Sequence, residues 1–179
     1  LGELGQGFDI IESAGVLHHM NDPMAGWRVL VDLLKTGGLM KIGLYSESAR
    51  RHIVKTREEI GLRGIGTSEA EIKHFRQSLV ESHDEHHQQL TSYGDFYSLS
   101  EVRDLLFHVQ EHRFTIPKLK ECMQNLNLKF LGFEDEFVIE QFKKNYKDPN
   151  DLYNLEIWEK FENENLRIFA GMYQFWCKK

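Results

Sequence analysis

Residues 8–50 read FDIIESAGVLHHMNDPMAGWRVLVDLLKTGGLMKIGLYSESAR, and this stretch decides the fold. Phe8 to Ser13 is short, aromatic-led and rich in isoleucine, which predicts a buried strand. Asn21-Asp22-Pro23 predicts a helix start. An aspartate there accepts from the first free N–H groups, and the fixed φ of proline suits the first helical position. The helix is expected to run to about Leu34, with Trp27, Leu30, Val31 and Leu34 on one apolar face. Lys35-Thr36-Gly37-Gly38 should stop it, with a cation in the last turn and glycine just beyond. Leu39 to Tyr45 is the next strand. Strand, helix and strand with short connections predict a right-handed parallel βαβ unit.

Beyond this unit the chain turns polar. Ser46 to about Leu62 reads as a helix ended by glycines, and Thr67-Ser68-Glu69 opens another to about Ser82. His83 to Ser98 is weakly patterned and is expected to be loop or frayed helix. Ser98 with Glu101 matches a capping box for a short helix to Phe107, and Pro117 starts a helix to about Asn125. Leu128 to Glu134 is a third strand. Helices follow over Glu136–Tyr146 and Asp148–Asn165, and Ala170 to Cys177 is a fourth, aromatic-rich strand. The order predicts an α/β layered fold: a core from residues 1–46 and 127–179, with a helical insert over 47–126.

Composition narrows the function. The 179 residues suit one domain. Lys and Arg number 22 against 28 Asp and Glu, a formal net charge of −6, which disfavours a nucleic-acid partner because phosphate neutralisation needs clustered cations. No apolar run approaches the ~20 residues of a membrane span. The two cysteines, Cys122 and Cys177, are far apart, which fits a reducing, cytoplasmic setting. The chain opens LGELGQG with no initiator Met and no signal-peptide character, and Gly2, Gly5 and Gly7 read as a linker into the first strand. The expectation is a chain that starts in the middle of a larger fold.

The segment FDIIESAGVLHHMNDP, its helix and LLKTGGLMKIGLYS closely resemble class I S-adenosylmethionine-dependent methyltransferases. In that family an acidic residue opens the fourth strand, as Asp9 does here. A small-residue turn and a VLHH segment follow, here Val16-Leu17-His18-His19, and a helix then leads through L(K/R)xGG, here Leu34 to Gly38, into the fifth strand. The resemblance is strongest over 8–50. The rest is similar to the C-terminal part of methyltransferase domains often attached to tetratricopeptide repeats, with MYQFWC as the last, antiparallel strand. It implies a partial Rossmann-like sheet of about four strands carrying a large helical insert. It also implies S-adenosylmethionine as cofactor and transfer of a methyl group to a small-molecule or protein acceptor.

Ligands of such sheets sit outside the carboxyl ends of the strands. The resemblance therefore makes Ser13, Ala14, Gly15, Leu17 and His18 the cofactor-binding candidates: the first three are small enough for close backbone approach, and Leu17 offers apolar area. His19 is a candidate catalytic base, with Tyr93 and Asp95 from the sequence Tyr93-Gly94-Asp95-Phe96-Tyr97. Tyr45, Arg50 and Tyr97 are the substrate-binding candidates, Arg50 for an anionic group. Plainer readings stand beside these: Asp22 as a helix cap, Arg50 as a helix-surface charge, and the 93–97 aromatics as packing. The family's glycine-rich loop and its ribose-holding acid have no counterpart in this sequence. By this reading strands one to three are missing and the first strand is an unprotected edge. The isolated chain is then expected to bind S-adenosylmethionine weakly and to be inactive, with the edge covered by a homodimer contact near residues 8–13, by a domain swap or by another segment.

Two rivals remain. One is a non-catalytic interaction or oligomerisation module with a degenerate methyltransferase fold. The other is a metal-binding protein using His83, His86 and His87, in which His83 and His87 at i and i+4 share a helical face and Glu85 or a distant carboxylate completes a zinc or nickel site. The favoured assignment carries no metal.

Overall fold

The computed structural model of the chain describes residues 5–107 and 110–179; Gly2 of the expected linker lies outside them. Two compact units divide the chain, Leu1–Ala49 with Gln110–Lys179, and Arg50–Val109.

The first unit is a four-stranded sheet with helices. Strand β1 (Phe8–Ala14) leads through a 3₁₀ turn, Leu17–His19, to α1 (Pro23–Leu33) and then β2 (Leu34–Leu44). Asp22 caps α1, its carboxylate accepting from the Ala25 N–H at 2.9 Å. The expected parallel pair is present, with Ile11 opposite Met40 and Ser13 opposite Ile42. The helix, however, stops at Leu33, and Lys35 to Gly38 belong to the head of β2 rather than to a helix cap. The register explains this: Phe8 faces Leu34 but Ile10 faces Leu39, so the extra residues bulge out of the ladder.

The chain returns with α6 (Ile116–Asn125), β3 (Lys129–Phe133), α7 (Glu136–Asn145), α8 (Leu155–Glu164) and β4 (Tyr173–Lys178). Strand order is β1-β2-β4-β3, and β4 runs antiparallel to both of its neighbours. The helix expected over 148–165 is broken: Pro149–Tyr153 is a 3₁₀ turn, and Asn154 caps α8 through the Glu156 N–H at 2.9 Å. Its core gathers Trp27 from α1, Ile42 from β2, Leu119 and Met123 from α6, Phe142 from α7, Trp158 from α8 and Phe175 from β4. The apolar face of α6 explains why that helix, placed in the insert by the sequence, groups with the sheet.

As the edge strand, β1 is open rather than buried: of its seven residues only Ser13 is buried, and Ile10 is 57% exposed. One neighbour covers one side of a strand, and nothing among the described residues pairs with the other.

The second unit is helical. The division falls within α2 (Glu47–Arg63), which is followed by α3 (Glu69–Glu81), α4 (Glu85–Leu90) and α5 (Leu99–Phe107). Ser68 and Glu71 form a capping box at the start of α3. The stretch expected to be loop or frayed helix contains α4 and a 3₁₀ turn, Gly94–Tyr97. Leu90 and Phe96 anchor it in a core with Ile53, Ile72, Phe75 and Leu106. Elements this short show no period in sequence, so the anchors are visible only in three dimensions. No helix among the described residues is long and apolar enough to cross a membrane.

Candidate functional site

The carboxyl ends of β1 and β2 lie side by side, with Ala14 opposite Gly43. A Cβ on Gly43 would sit 2.9 Å from both Cα and Cβ of Ala14, so only glycine lets the two ends approach this closely. Gly15 then turns the chain at φ +75°, a region that side chains disfavour. The 3₁₀ turn that follows buries Leu17 and His18 at 2% and 0% exposure. Leu17 joins the sheet core. The His18 ring lies against Tyr45, with centroids 3.9 Å apart and planes at 30°. His19 meets His18 edge-on at 4.4 Å, and its Nδ1 is 3.3 Å from the Gln110 carbonyl oxygen. Residues 110–114 line the same end. The His112 N–H donates to the His18 carbonyl at 2.8 Å, and the Phe114 N–H to the Tyr45 carbonyl at 2.9 Å. Ser13, Ala14, Gly15, Leu17, His18, His19 and Tyr45 are therefore brought together. Val16 and Met20, both apolar and 55% and 39% exposed, stand beside them. Their exposure could not be read from the sequence, because an irregular turn has no facing rule.

Behind this end sits a buried carboxylate that the sequence did not reveal. Glu162, on α8, accepts from the Tyr173 hydroxyl at 2.6 and 2.8 Å and from the Ser46 hydroxyl at 2.7 Å. Ser46 Oγ in turn accepts from the Ala49 N–H at 3.1 Å, and the Glu47 N–H donates to the Phe114 carbonyl at 2.8 Å. Burial pushes the Glu162 carboxyl above the usual range, although the two hydroxyls oppose it. Burial and the neighbouring carboxyl push the Tyr173 phenol up as well. The cluster fixes the backbone just after Tyr45 by tying β4, α8 and the chain leaving β2 together.

Arg50, Tyr93, Asp95 and Tyr97 belong to the second unit. Arg50 is 5% exposed, which sets aside its reading as a surface charge. Tyr93 packs against the helical core and Asp95 is exposed in the 3₁₀ turn. The Tyr97 side chain is exposed and its hydroxyl donates to the Thr91 carbonyl at 2.9 Å.

The second unit also holds a His/Glu cluster, composed differently from the sequence expectation. Because α4 begins only at Glu85, His83 lies outside it, and no helical face pairs His83 with His87. Instead His86, His87 and Glu59 from α2 bring one ligand atom each within 4.8 Å of one another. Burial lowers the His86 imidazole below its ordinary range, only partly offset by Asp84. Burial also raises the Glu59 carboxyl, but Arg63 and His87 outweigh it and hold Glu59 below the usual carboxylate range.

No family model matches the chain. Over 140 residues it is 29% identical to an uncharacterized protein of Synechococcus sp., covering 72% of this chain and 32% of that protein. Among solved structures it is similar to the methyltransferase PKMT2 from Rickettsia typhi, with a TM-score of 0.64 and 16% identity over 97% of this chain and 35% of that one. PKMT2 in complex with AdoHcy gives a TM-score of 0.62 and 15% identity over 98% and 36%. The chain thus spans about a third of the length of these relatives. The likeness shows a class I S-adenosylmethionine-dependent methyltransferase-like fold in partial form, with the four-stranded sheet and antiparallel last strand that the resemblance implied.

Proposed function

We propose that this chain is the C-terminal part of an S-adenosylmethionine-dependent methyltransferase acting on a small-molecule or protein acceptor in the cytoplasm. The observation that carries the reading is the end of the parallel pair. There, within a methyltransferase-like fold, Gly15 turns away from β1 beside exposed Val16 and the His18–Tyr45 stack. A small-residue turn at the carboxyl ends of parallel strands is where an α/β sheet takes its ligand. The residues present fit one wall of a nucleoside-sulfonium pocket: an approachable backbone at Ala14 and Gly15 and apolar surface at Val16 next to it, backed by buried Ser13, Leu17 and His18.

When bound, the cofactor would supply an electrophilic methyl group carried on a sulfonium that can leave as a neutral thioether. This chain's part is to orient the acceptor and remove its proton. His19, half-buried and following the turn in sequence, is the candidate base. In this reading the other wall of the pocket comes from polypeptide outside this chain. Both cysteines are buried and free, and burial pushes the Cys177 thiol up to about 12, so neither is a reactive nucleophile.

Calorimetric titration of the isolated chain with S-adenosylmethionine tests the assignment. The expected dissociation constant is on the order of millimolar, weaker than a complete pocket by roughly 4 kcal/mol if that pocket is micromolar. Micromolar binding by this chain alone overturns it.

The open edge of β1 supports a second reading, an interaction module that adds a strand. Ile10 at 57% exposure on an edge strand is an aggregation hazard unless covered. Sedimentation is expected to show concentration-dependent dimers, converted to monomer by Ile10→Lys. A chain that stays monomeric at high concentration, with residues 8–13 exchanging amide protons freely, contradicts it.

A further inference from the structure

We infer that Glu59, His86 and His87 form a binding site for a zinc-class divalent cation in the helical unit, one that clamps α2 to α4. Adjacent histidines ordinarily diverge, but here their rings converge, with centroids 4.5 Å apart at 63°. Glu59 arrives from a different helix, 28 residues away in sequence, with Oε2 2.7 Å from His87 Nε2. Its other oxygen is held by Arg63 at 2.7 Å, which orients the carboxylate so that Oε2 faces the imidazoles.

The His87 ring nitrogen away from Glu59 has a partner of its own. His87 Nδ1 is 2.8 Å from Ser82 Oγ. His86 Nδ1 is 2.6 Å from Asp84 Oδ1, a close contact but poorly aligned as a hydrogen bond. Outer partners of this kind fix tautomer and ring orientation in metal sites. With Nδ1 of His87 so engaged, Nε2 is the nitrogen that this ring turns toward Glu59. His86 is more than nine-tenths buried, so its imidazole is not there to meet water.

Two imidazoles and one carboxylate are a zinc donor set, with ligand bonds of about 2.0–2.2 Å and a fourth position open to water. Atoms already within 4.8 Å need only side-chain adjustment to close on an ion. The nearby Arg63 and Lys55 oppose a cation, so affinity is expected in the micromolar range rather than that of a closed structural site. The inference stands independently of the methyltransferase reading, since none of its groups belongs to the β1–β2 end.

The test titrates the chelator-stripped chain with zinc chloride against a chromogenic chelator. One equivalent is expected to bind, with affinity falling at least tenfold in His87→Gln and in Glu59→Gln and unchanged in His83→Ala. Cobalt(II) on the unmodified chain provides a second measurement that no folding defect can spoil. Visible bands of a low-symmetry nitrogen and oxygen site are expected, competed away by one equivalent of zinc. Absence of those bands, or zinc affinity that His87→Gln and Glu59→Gln leave intact, overturns the inference.

Discussion

Trp158→Ala is expected to lower unfolding free energy by about 3–5 kcal/mol, the usual cost of deleting a buried aromatic. Trp158 is fully buried at the centre of an aromatic cluster. It stacks on Phe142 at 3.8 Å with planes at 21°, and meets Phe133 edge-on at 4.8 Å. Its indole N–H donates to the Leu152 carbonyl at 3.0 Å, anchoring the 3₁₀ turn before α8. Alanine leaves a cavity that the Phe133 and Phe142 rings cannot close, because their own partners hold them. Against a typical total of about 5–15 kcal/mol, the loss is a large fraction of the fold's stability. Urea unfolding followed by far-ultraviolet circular dichroism checks it, and a loss below about 1 kcal/mol would show that the cluster is not the core of this unit.

Glu162→Gln is expected to change how stability depends on pH. The folded carboxyl titrates above its ordinary value of 4.5, because burial disfavours its charge. Below that ordinary value both folded and unfolded chains hold the proton, and stability is full. As pH rises, the unfolded chain releases the proton first while the folded chain keeps it. Stability then falls by roughly 1.4 kcal/mol per pH unit until the folded carboxyl ionises in turn. Glutamine cannot ionise, and its amide keeps one acceptor for the Tyr173 and Ser46 hydroxyls. The stability difference between the native chain and Glu162→Gln should therefore shift steadily in favour of the variant from about pH 4.5 upward. A difference that stays flat from acid to neutral pH contradicts a raised Glu162. Tyr173→Phe, which removes a donor to the same carboxylate, is expected to cost about 1–3 kcal/mol. The cluster matters to the site because Ser46 directly follows Tyr45, the residue stacked on His18.

The β1–α1–β2 unit was legible in sequence because its signals are local. Asp22 and Pro23 mark the start of α1, Trp27 and Val31 repeat along its buried face, and isoleucines fill β1. The bulge at Lys35 to Gly38 was not legible, since a glycine pair after a helical face reads equally as a cap or as a strand kink. The edge position of β1 agrees with the expected unprotected edge, whereas its apolar residues alone read as a buried strand, because residue type does not say how many neighbours a strand has. The turn at Gly15 and the histidines after it stood out through the resemblance of that segment to class I methyltransferases. Their support did not, because Ser46 and Glu162 are 116 residues apart and meet only through the return of α8. The histidine cluster shows the same limit. Spacing nominated His83 with His87, whereas the fold excludes His83 and recruits Glu59 from another helix.

The central claim is that residues 13–18 form one wall of a pocket for the nucleoside of the methyl donor. Backbone amide shifts of the isolated chain titrated with S-adenosylhomocysteine test it most directly, since they read both location and strength. The account expects weak, millimolar-range perturbations confined to Ser13, Ala14, Gly15, Leu17 and His18, with Tyr45 moving through its ring contact. Saturation at micromolar ligand, or shifts centred elsewhere with residues 13–18 unmoved, would contradict it.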